Sequence, residues 1–418
     1  MKLSIITYGS RGDVQPFIYL ALGLMDKGHT VTLAAPGNFK NLIEGYGVDC
    51  YPLAGDSEGI IKAPDFRKVI KSGNNIAFTS LVFKKIRNIQ VSILEGVYEA
   101  SKGADAIICV NTGFVFGATA AEKLKIKWLL VQLNPPMIPT KAFPMPMFNF
   151  PDISWLNSHT YTVINSILWQ LQKKDYSIFR KHLDMTPVKG SLINKIVKDK
   201  VPIIHAFSAG LISRPDDWED QFVIAGFFNQ SKKQGKAPKI PHDLEDWIKT
   251  GDKPLYIGFG SIPFPNPAQI SEVIKGLLAA GVRIIYCQGW SDMPDVPKNP
   301  NLFIAKQIDH AWLLPKCRAA VMHGGIGTVA AVLNAGIPAI ITPLFVDQPV
   351  WAQVIQQKKM GVNIPWRKLS TLTLLNALNK VQEPLFVKAM QQAHQRLKQE
   401  DGIGNAINII EAYCTPGQ

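Results

Sequence analysis

The residues whose types and spacing best suit chemistry lie between Ala319 and Gln348. A short apolar run there is followed at once by the turn sequence HGGIGT, residues 323–328. Glycines let a ligand approach the backbone closely, and the first turn of a helix presents unpaired N–H groups at the positive end of its dipole. The pattern therefore suits a phosphate or diphosphate, with the Thr328 hydroxyl and a His323 ring N–H as further donors. The turn alone is equally typical of α/β proteins that bind nothing there.

An acid and an amide follow the next strand. Ala339 to Thr342 has the apolar, β-branched composition of a buried strand, and the loop opened by Pro343 carries Asp347 and Gln348. Both strands should end at the same edge of a sheet, which brings these two side chains near the Gly-rich turn. Asp347 considered alone would more often be a loop-capping residue.

A third candidate lies near the start of the chain. Leu3 to Tyr8 is strand-like, Pro16 to Gly28 has helical spacing, and the connecting turn GSRGDVQP carries Asp13. Ligands of open α/β sheets bind at the carboxyl ends of strands, so Asp13 is a candidate catalytic carboxylate. Alternatively, Asp13 is a residue at the N-terminus of a helix whose carboxylate only accepts hydrogen bonds from backbone N–H groups. The turn lacks the G-x-G-x-x-G fingerprint, which argues against an NAD enzyme.

Together these motifs resemble a known enzyme family. H-G-G-x-G-T followed by P-L-x-x-D-Q resembles the donor-binding region of family 1 glycosyltransferases, and G-S-R-G-D-V-Q-P resembles the N-terminal signature of their sterol and natural-product members. The resemblance implies that Asp13 is the base that deprotonates an acceptor hydroxyl. It also implies that the Gly-rich turn holds the diphosphate of a nucleotide sugar and that Asp347 and Gln348 bind the sugar hydroxyls. The implied diphosphate ligands are His323, Gly325, Gly327 and Thr328.

Three further residues complete the predicted donor site. Ser261 follows the strand Pro254 to Phe259 and is placed to hydrogen-bond a phosphate, although serine after glycine is an ordinary turn residue. Trp290 and Ile308 lie in loops after two later strands, on the side of the Gly-rich turn. We expect Trp290 to stack on the nucleoside and the Ile308 backbone to contact the base edge.

The elements that must position these residues predict an α/β protein. Two β-α-β series with short connections indicate two Rossmann-like, doubly wound domains, and the resemblance implies the two-lobed GT-B fold with the domains facing an inter-domain cleft. We expect residues 1–230 to form the acceptor-binding domain and 242–399 the nucleotide-sugar-binding domain. Residues 231–241 read as a linker. The resemblance implies that the C-terminal helix, 400–418, packs back on the first domain.

The acceptor side is less sharply defined. Asn134 to Trp155 is rich in Pro, Met, Phe and Trp, which is typical of a malleable apolar surface but also of a loop that packs in a core. The resemblance implies that this segment and the helix from Thr160 to Lys173 line the acceptor site, which favours a bulky hydrophobic alcohol.

Composition excludes several function classes. The 418 residues carry a formal charge of +13. The basic residues do not belong to a recognisable DNA- or RNA-binding module, and the sequence has no zinc or RNP signature, so nucleic acid is not expected as a partner. The charge is either a solvated basic face or a surface for an anionic membrane. Five scattered cysteines favour a reducing compartment. The start MKLSIITYGSRGD lacks the apolar core of a signal peptide, so a cytoplasmic location is expected.

We therefore predict an inverting hexosyltransferase that needs neither cofactor nor metal. Its donor would be a UDP-sugar, with glucose the favoured hexose and TDP the alternative nucleotide. Its acceptor would be a hydroxyl of a sterol, triterpene, flavonoid or other natural product. Two alternatives remain at this point: a nucleotide-sugar epimerase of similar two-lobed fold, and a non-catalytic nucleotide-sugar-binding regulator.

Overall fold

A computed structural model describes residues 1–110, 113–148, 150–187, 190–229 and 240–415. The chain forms two compact units. Unit 1 comprises Met1–Ser57, Leu81–Gln234 and Asp401–Gln418, and unit 2 comprises Glu58–Ser80 and Gly235–Glu400. Of the predicted linker 231–241, residues 231–239 lie outside the described residues.

Each unit is built on one parallel sheet, which confirms the predicted fold class of two doubly wound α/β domains. Sheet 1, in unit 1, has seven strands in the order β3-β2-β1-β4-β5-β6-β7, and sheet 2, in unit 2, has six in the order β10-β9-β8-β11-β12-β13. All neighbouring strands are parallel. The strands are β1 Lys2–Ile6, β2 Thr30–Pro36, β3 Asp49–Leu53, β4 Ala106–Val110, β5 Lys127–Gln132, β6 Ile203–His205, β7 Phe222–Ile224, β8 Leu255–Gly258, β9 Ile284–Cys287, β10 Leu302–Ala305, β11 Ala319–Met322, β12 Ala339–Ile341 and β13 Gly361–Asn363.

Helices connect the strands within both units. They are α1 Arg11–Asp26, α2 Lys40–Gly45, α3 Ser57–Lys62, α4 Pro64–Ser72, α5 Asn75–Arg87, α6 Gln90–Ser101, α7 Phe114–Leu124, α8 Ser154–His182, α9 Leu192–Lys198, α10 His242–Lys249, α11 Pro267–Ala279, α12 His310–Leu313, α13 Ile326–Ala335, α14 Gln348–Gln357, α15 Thr371–Lys380, α16 Pro384–Leu397 and α17 Gly402–Cys414. Among the described residues no helix is both long and apolar enough to cross a membrane.

The strand orders fix where ligands can bind. In sheet 1 the chain runs outward from β1 to β3 and then returns to the other side of β1 with β4, and in sheet 2 the same reversal occurs between β8 and β11. Connections leave in opposite directions at such a point and open a crevice at the carboxyl ends of the two strands. Asp13 follows β1, Ser261 follows β8, and His323 follows β11. The candidate residues therefore lie at the switch point of each sheet.

The first helix begins earlier than predicted. The sequence suggested a start at Pro16, but α1 begins at Arg11 and contains Pro16 in its second turn. The reason is a capping box in which Ser10 caps the helix and Asp13 bonds back to it, so the helix starts before the proline. Asp13 thus belongs to the first helical turn rather than to a loop.

Part of the segment rich in Pro, Met and Phe, residues 134–155, packs in a small core. Met145 is fully buried against Tyr161 and Ile164 of α8, with Phe143 and Phe150 beside them. The hydroxyl of Thr160 accepts a hydrogen bond from the Met145 backbone N–H at 2.8 Å. The part of the segment around Met145 therefore packs in a core, whereas Phe148, Ile153 and Trp155 are 38%, 41% and 72% exposed. The acceptor-lining role of the segment stays a prediction.

Two segments of the chain pack in a unit whose other residues are distant from them in the sequence. The C-terminal helix α17 belongs to unit 1, where Asn405 donates to the Ala225 carbonyl and Glu411 lies 2.8 Å from His29. Residues 58–80, which the sequence assigned to the first domain, belong to unit 2. Ile70 of α4 is buried in the core that sheet 2 organises, and this burial explains the assignment.

Candidate active site

The turn after β8 and the turn after β11 lie side by side at the switch point of sheet 2. Gly260 has φ +65°, a left-handed conformation that favours glycine, and a Cβ added there would lie 3.1 Å from the His323 ring. The Trp290 backbone N–H donates to the Gly260 carbonyl at 3.0 Å. The structure thus brings Ser261, His323 and the Trp290 loop together, as the sequence predicts for a phosphate-binding corner.

The Gly-rich turn leads into an uncapped helix. Gly324 has φ +92° and Gly325 is the N-cap residue of α13, which has no side-chain capping hydrogen bond. The first backbone N–H groups of such a helix have no intrahelical partner and favour an anion. Gly327 is exposed, and a Cβ added to it would meet no atom within 4 Å. Gly327 therefore faces open space at the positive end of α13, whereas the Thr328 N–H already donates to the Gly325 carbonyl at 2.9 Å.

His323 is buried beside this helix start. Burial lowers the pKa of its imidazole to about 4, with the charge of His310 a smaller cause, so the ring is neutral at pH 7. Its Nδ1 has no hydrogen-bond partner within the described part of the chain, and neither has the buried Oγ1 of Thr342, the residue that follows β12. A neutral imidazole offers one N–H donor, which suits a phosphate oxygen.

Thr342 was not predicted from the sequence. The Thr342 N–H donates to the Met322 carbonyl at 2.7 Å, which sets the threonine beside His323 at the end of the neighbouring strand. The signal was available, because a hydroxyl directly after a buried apolar strand lies at the edge of the sheet where ligands bind.

Asp347 and Gln348 lie at the start of α14, adjacent to the turn, and their side chains are hydrogen-bonded to α14 and to the preceding loop. Asp347 Oδ2 accepts a hydrogen bond from Trp351 Nε1 at 2.9 Å. Gln348 is only 2% exposed, and its Oε1 accepts from the Leu344 N–H at 2.9 Å. A Cβ at Gly324 would lie 3.3 Å from the Gln348 carbonyl, so the two motifs are neighbours. Their sugar-binding role stays a prediction.

The predicted nucleoside residues differ in availability. Trp290 is 8% exposed, so its ring offers little free face for stacking in this structure. Ile308 is half-buried in the loop before Asp309, whose side chain caps the short helix α12 by accepting from the Trp312 N–H at 2.9 Å. This cap orders the backbone that follows Ile308. The Ile308 backbone is predicted to contact the base, and that role stays a prediction.

Asp13 lies at the switch point of sheet 1, within unit 1. Its Oδ2 accepts from the Ser10 N–H at 2.8 Å and from the Ser10 hydroxyl at 3.0 Å. Gly9 has φ +150°, and a Cβ on it would collide with the Asp13 carboxylate. The capping role that the sequence left open is therefore realised, and the catalytic role stays a prediction. Ser10, which orients the carboxylate, was recognisable only as part of a capping box.

Two protein-family models match the chain. The description of one is "Glycosyltransferase family 28 N-terminal domain", over residues 3–141. The other is "Erythromycin biosynthesis protein CIII-like, C-terminal domain", over residues 279–402.

Characterised relatives align along almost the whole chain. Two sterol 3-beta-glucosyltransferases of Arabidopsis thaliana are each 31% identical to it, one over 98% of this chain and 65% of its own length, the other over 100% and 68%. A sterol 3-beta-glucosyltransferase of Cryptococcus neoformans is 31% identical over 98% of this chain. The chain spans about two thirds of the plant proteins and 27% of the fungal one.

Two solved glycosyltransferase structures have the same fold as this chain. The glycotransferase of kitacinnamycin superposes with a TM-score of 0.72 at 15% identity, covering 99% of both chains. The glycosyltransferase VinC in complex with DTDP superposes with a TM-score of 0.67 at 14% sequence identity, covering 99% of this chain and 100% of that one. At these identities the likeness establishes the fold, which is GT-B. With the relatives described above, it shows that the chain belongs to the family of GT-B glycosyltransferases that contains the sterol 3-beta-glucosyltransferases.

Proposed function

We propose that this chain transfers a hexose, with glucose the first candidate, from a UDP-sugar to a hydroxyl of a sterol or similar hydrophobic acceptor. One observation carries the proposal: the relatives that match 98–100% of the chain at 31% identity are named sterol 3-beta-glucosyltransferases. The open, uncapped start of α13 supports it, because that is where a diphosphate would be held.

In this proposal unit 2 binds the donor. The diphosphate accepts hydrogen bonds from the first N–H groups of α13, from the Thr328 hydroxyl and from the neutral His323 ring, with Ser261 as a further donor. These groups are fixed before the reaction, so they stabilise the charge that develops on the leaving diphosphate without reorganising. The sugar hydroxyls bind Asp347 and Gln348, and the Ile308 backbone contacts the base.

Asp13 is proposed to remove the proton from the acceptor hydroxyl. A carboxylate with a reference pKa near 4 is a weak base for an alcohol, so proton transfer must accompany departure of the diphosphate. The acceptor oxygen attacks the anomeric carbon from the face opposite the diphosphate, the bond to the diphosphate breaks, and the anomeric configuration inverts. The hydrogen bonds from Ser10 hold the carboxylate in place.

The test is a product analysis. The purified chain is incubated with UDP-glucose and a panel of sterols, triterpenes, flavonoids and macrolides, and mass spectrometry detects the hexosyl adduct. TDP-glucose in parallel reactions identifies the preferred nucleotide, and NMR of the product defines the anomeric configuration. A changed sugar nucleotide with no acceptor present would indicate an epimerase instead, and UDP-glucose binding without turnover on any acceptor would indicate a regulator.

We also infer that unit 1 contacts an anionic membrane through the exposed face of α8, defined by Trp155, Val163, Ile167 and Leu171. These side chains are 47–72% exposed, and spacings of four and eight residues keep them on one side of the helix. Lys173, Lys174 and Lys181 follow, all exposed. The only acid of α8, Asp175, is buried and paired with Arg87 at 3.1 Å. An apolar stripe that continues into lysines fits a surface of anionic lipid.

Vesicle sedimentation tests this surface. The wild-type chain should bind phosphatidylcholine vesicles that contain phosphatidylglycerol more strongly than pure phosphatidylcholine, and the double variant W155S/I167S should lose most of this binding. L372S is the matched control, because Leu372 is 68% exposed but lies in unit 2. Equal binding by W155S/I167S and L372S would contradict the inference, and so would wild-type binding to neither vesicle.

A further inference from the structure

The N-terminal half of the sequence supplies unit 2 with a segment that touches its predicted donor loops. This segment, residues 64–78, is called the α4 segment here, and it contains α4 and the first residues of α5. It is anchored by burial, since Phe66 and Ile70 are 0% and 1% exposed and Ile70 belongs to the core of unit 2. None of the predicted site residues lies in this segment.

The first contact is with the loop that follows Ser261. Arg67 and Ile70 line a small cavity of about 30 Å³ together with residues of that loop, among them Pro263 and Phe264. Phe264 is in turn tied to the next loop, because its N–H donates to Ser291 Oγ at 3.3 Å. The α4 segment therefore rests on the backbone that carries the predicted phosphate ligand.

The second contact is an ion pair beside Trp290. The Arg67 guanidinium makes a two-pronged interaction with the Asp292 carboxylate, at 2.8 and 3.2 Å. Both side chains are nearly half exposed, so the pair contributes little to stability. Its two hydrogen bonds connect α4 to the loop that follows β9. Asp292 is two residues from the predicted nucleoside residue.

The third contact is aromatic and lies beside Asp347. The Phe78 ring packs on the Phe345 ring with centroids 4.3 Å apart, and the Phe66 ring meets Phe78 edge-on at 5.6 Å. Phe345 is two residues before Asp347, and its N–H lies 3.4 Å from Gln348 Oε1. A change at Phe78 is thereby transmitted to the loop that is predicted to bind the sugar.

The end of α4 is held as well. Arg367 Nη2 donates to the carbonyls of Lys71 and Ser72 at 3.0 and 2.8 Å, at the point where Gly73 ends the helix with φ +67°. This contact lies between Arg67 and Phe78 in the sequence. The α4 segment is thus held to unit 2 at several points along its length.

We propose that the α4 segment is a positioning element of the donor site, which holds the loops of Ser261, Trp290 and Asp347 in the arrangement that binds the nucleotide sugar. The inference rests on the proposed function, because it concerns the same donor. Its consequence is that donor affinity depends on residues 64–78, which come from the N-terminal half of the chain and lie outside the Gly-rich turn in sequence.

Calorimetric UDP binding and steady-state kinetics test the proposal with R67A, F78A and the matched control K68A. Lys68 is exposed on the same helix. R67A and F78A should each raise the Kd for UDP and the KM for UDP-glucose about three- to tenfold. The kcat and the KM for the acceptor should stay within about twofold, and K68A should behave as wild type. The charge exchange R67D/D292R should recover affinity that R67D alone loses.

The outcomes separate the two ideas. Wild-type chain that binds no UDP would overturn the proposed function, and this inference with it. Wild-type binding together with unchanged affinity in R67A and F78A would overturn the inference alone. If F78A does not fold, F78L keeps the bulk while removing the ring contact, and the same criterion applies to it. A fall in kcat with unchanged affinity would also count against positioning of the donor.

Discussion

Replacing Gly327 with alanine should make the folded chain more stable and its donor binding weaker. Gly327 lies in the first turn of α13, is exposed, and has room for a methyl group, since an added Cβ meets no atom within 4 Å. Its φ is not in the left-handed region, so no strain opposes the change. If the site binds nothing, G327A is simply a favourable helix substitution.

The two effects have opposite signs and calculable sizes. Alanine is favoured over glycine within a helix by about 0.5–1 kcal/mol, which for a unit of this size raises Tm by about 1–4 °C. A methyl group on the anion-facing turn would displace a diphosphate from at least one backbone N–H. A hydrogen bond to a charged group contributes about 1.5–3 kcal/mol, so the Kd for UDP should rise about tenfold or more.

Thermal unfolding with and without UDP measures both effects on one sample. The apo Tm of G327A should exceed that of wild type, while the rise in Tm caused by UDP should shrink, and calorimetry should give the larger Kd. G324A is the contrasting control: Gly324 has φ +92° and an added Cβ would lie 2.7 Å from Ile341 Cγ2, so the apo protein itself should be destabilised. A stabilised G327A that binds UDP as wild type does would refute the assignment of the diphosphate to this turn.

Further predictions concern three other residues. D13N should abolish transfer, leave UDP affinity within a few-fold of wild type and keep the cap on α1. D13A should in addition lower the free energy of unfolding by about 1 kcal/mol, because the cap is lost. A fully active D13N would remove Asp13 from the mechanism. H323A should raise the Kd for UDP and lower kcat, because the ring N–H is lost from both ground and transition states; unchanged kinetics would exclude the ring as a ligand. Burial lowers the pKa of His205 to about 3, and neither ring nitrogen has a hydrogen-bond partner among the residues described. In the unfolded chain this histidine binds a proton below about pH 6.5, whereas in the folded chain it binds one only below about pH 3. The free energy of unfolding therefore decreases as the pH is lowered, and at pH 5 it is roughly 2 kcal/mol smaller than at neutral pH. Urea denaturation of H205F at pH 5 and pH 7.5 should show a smaller difference than wild type, and an equal difference would argue that other groups dominate.

Sequence reasoning succeeded where the determinants are local. The apolar run before His323 and the glycines after it act within a few residues, and the structure has strand, turn and helix there. The start of α1 was missed because Pro16 is a strong start signal, while the capping box of Ser10 and Asp13 sets the boundary earlier.

What could not be predicted depends on tertiary packing. The residues of the α4 segment have an amphipathic helical pattern, but nothing in that pattern says which of two cores covers Phe66 and Ile70. The burial of Trp290 and the hydrogen bonds of Gln348 Oε1 are likewise set by residues that meet only in the fold. The sequence therefore predicts which motifs form the site, but it does not predict which of their side chains are exposed and available to a ligand.

Because residues 58–80 belong to unit 2 and α17 to unit 1, the two halves of this enzyme family member are interleaved along the chain. A chimera joined only near residue 235 would combine unit 2 with a foreign α4 segment and unit 1 with a foreign final helix. An exchange of the whole of unit 2 between relatives should therefore transplant two blocks, Glu58–Ser80 and Gly235–Glu400, rather than one. A single-crossover hybrid that folds poorly would reflect this interleaving rather than an incompatible active site.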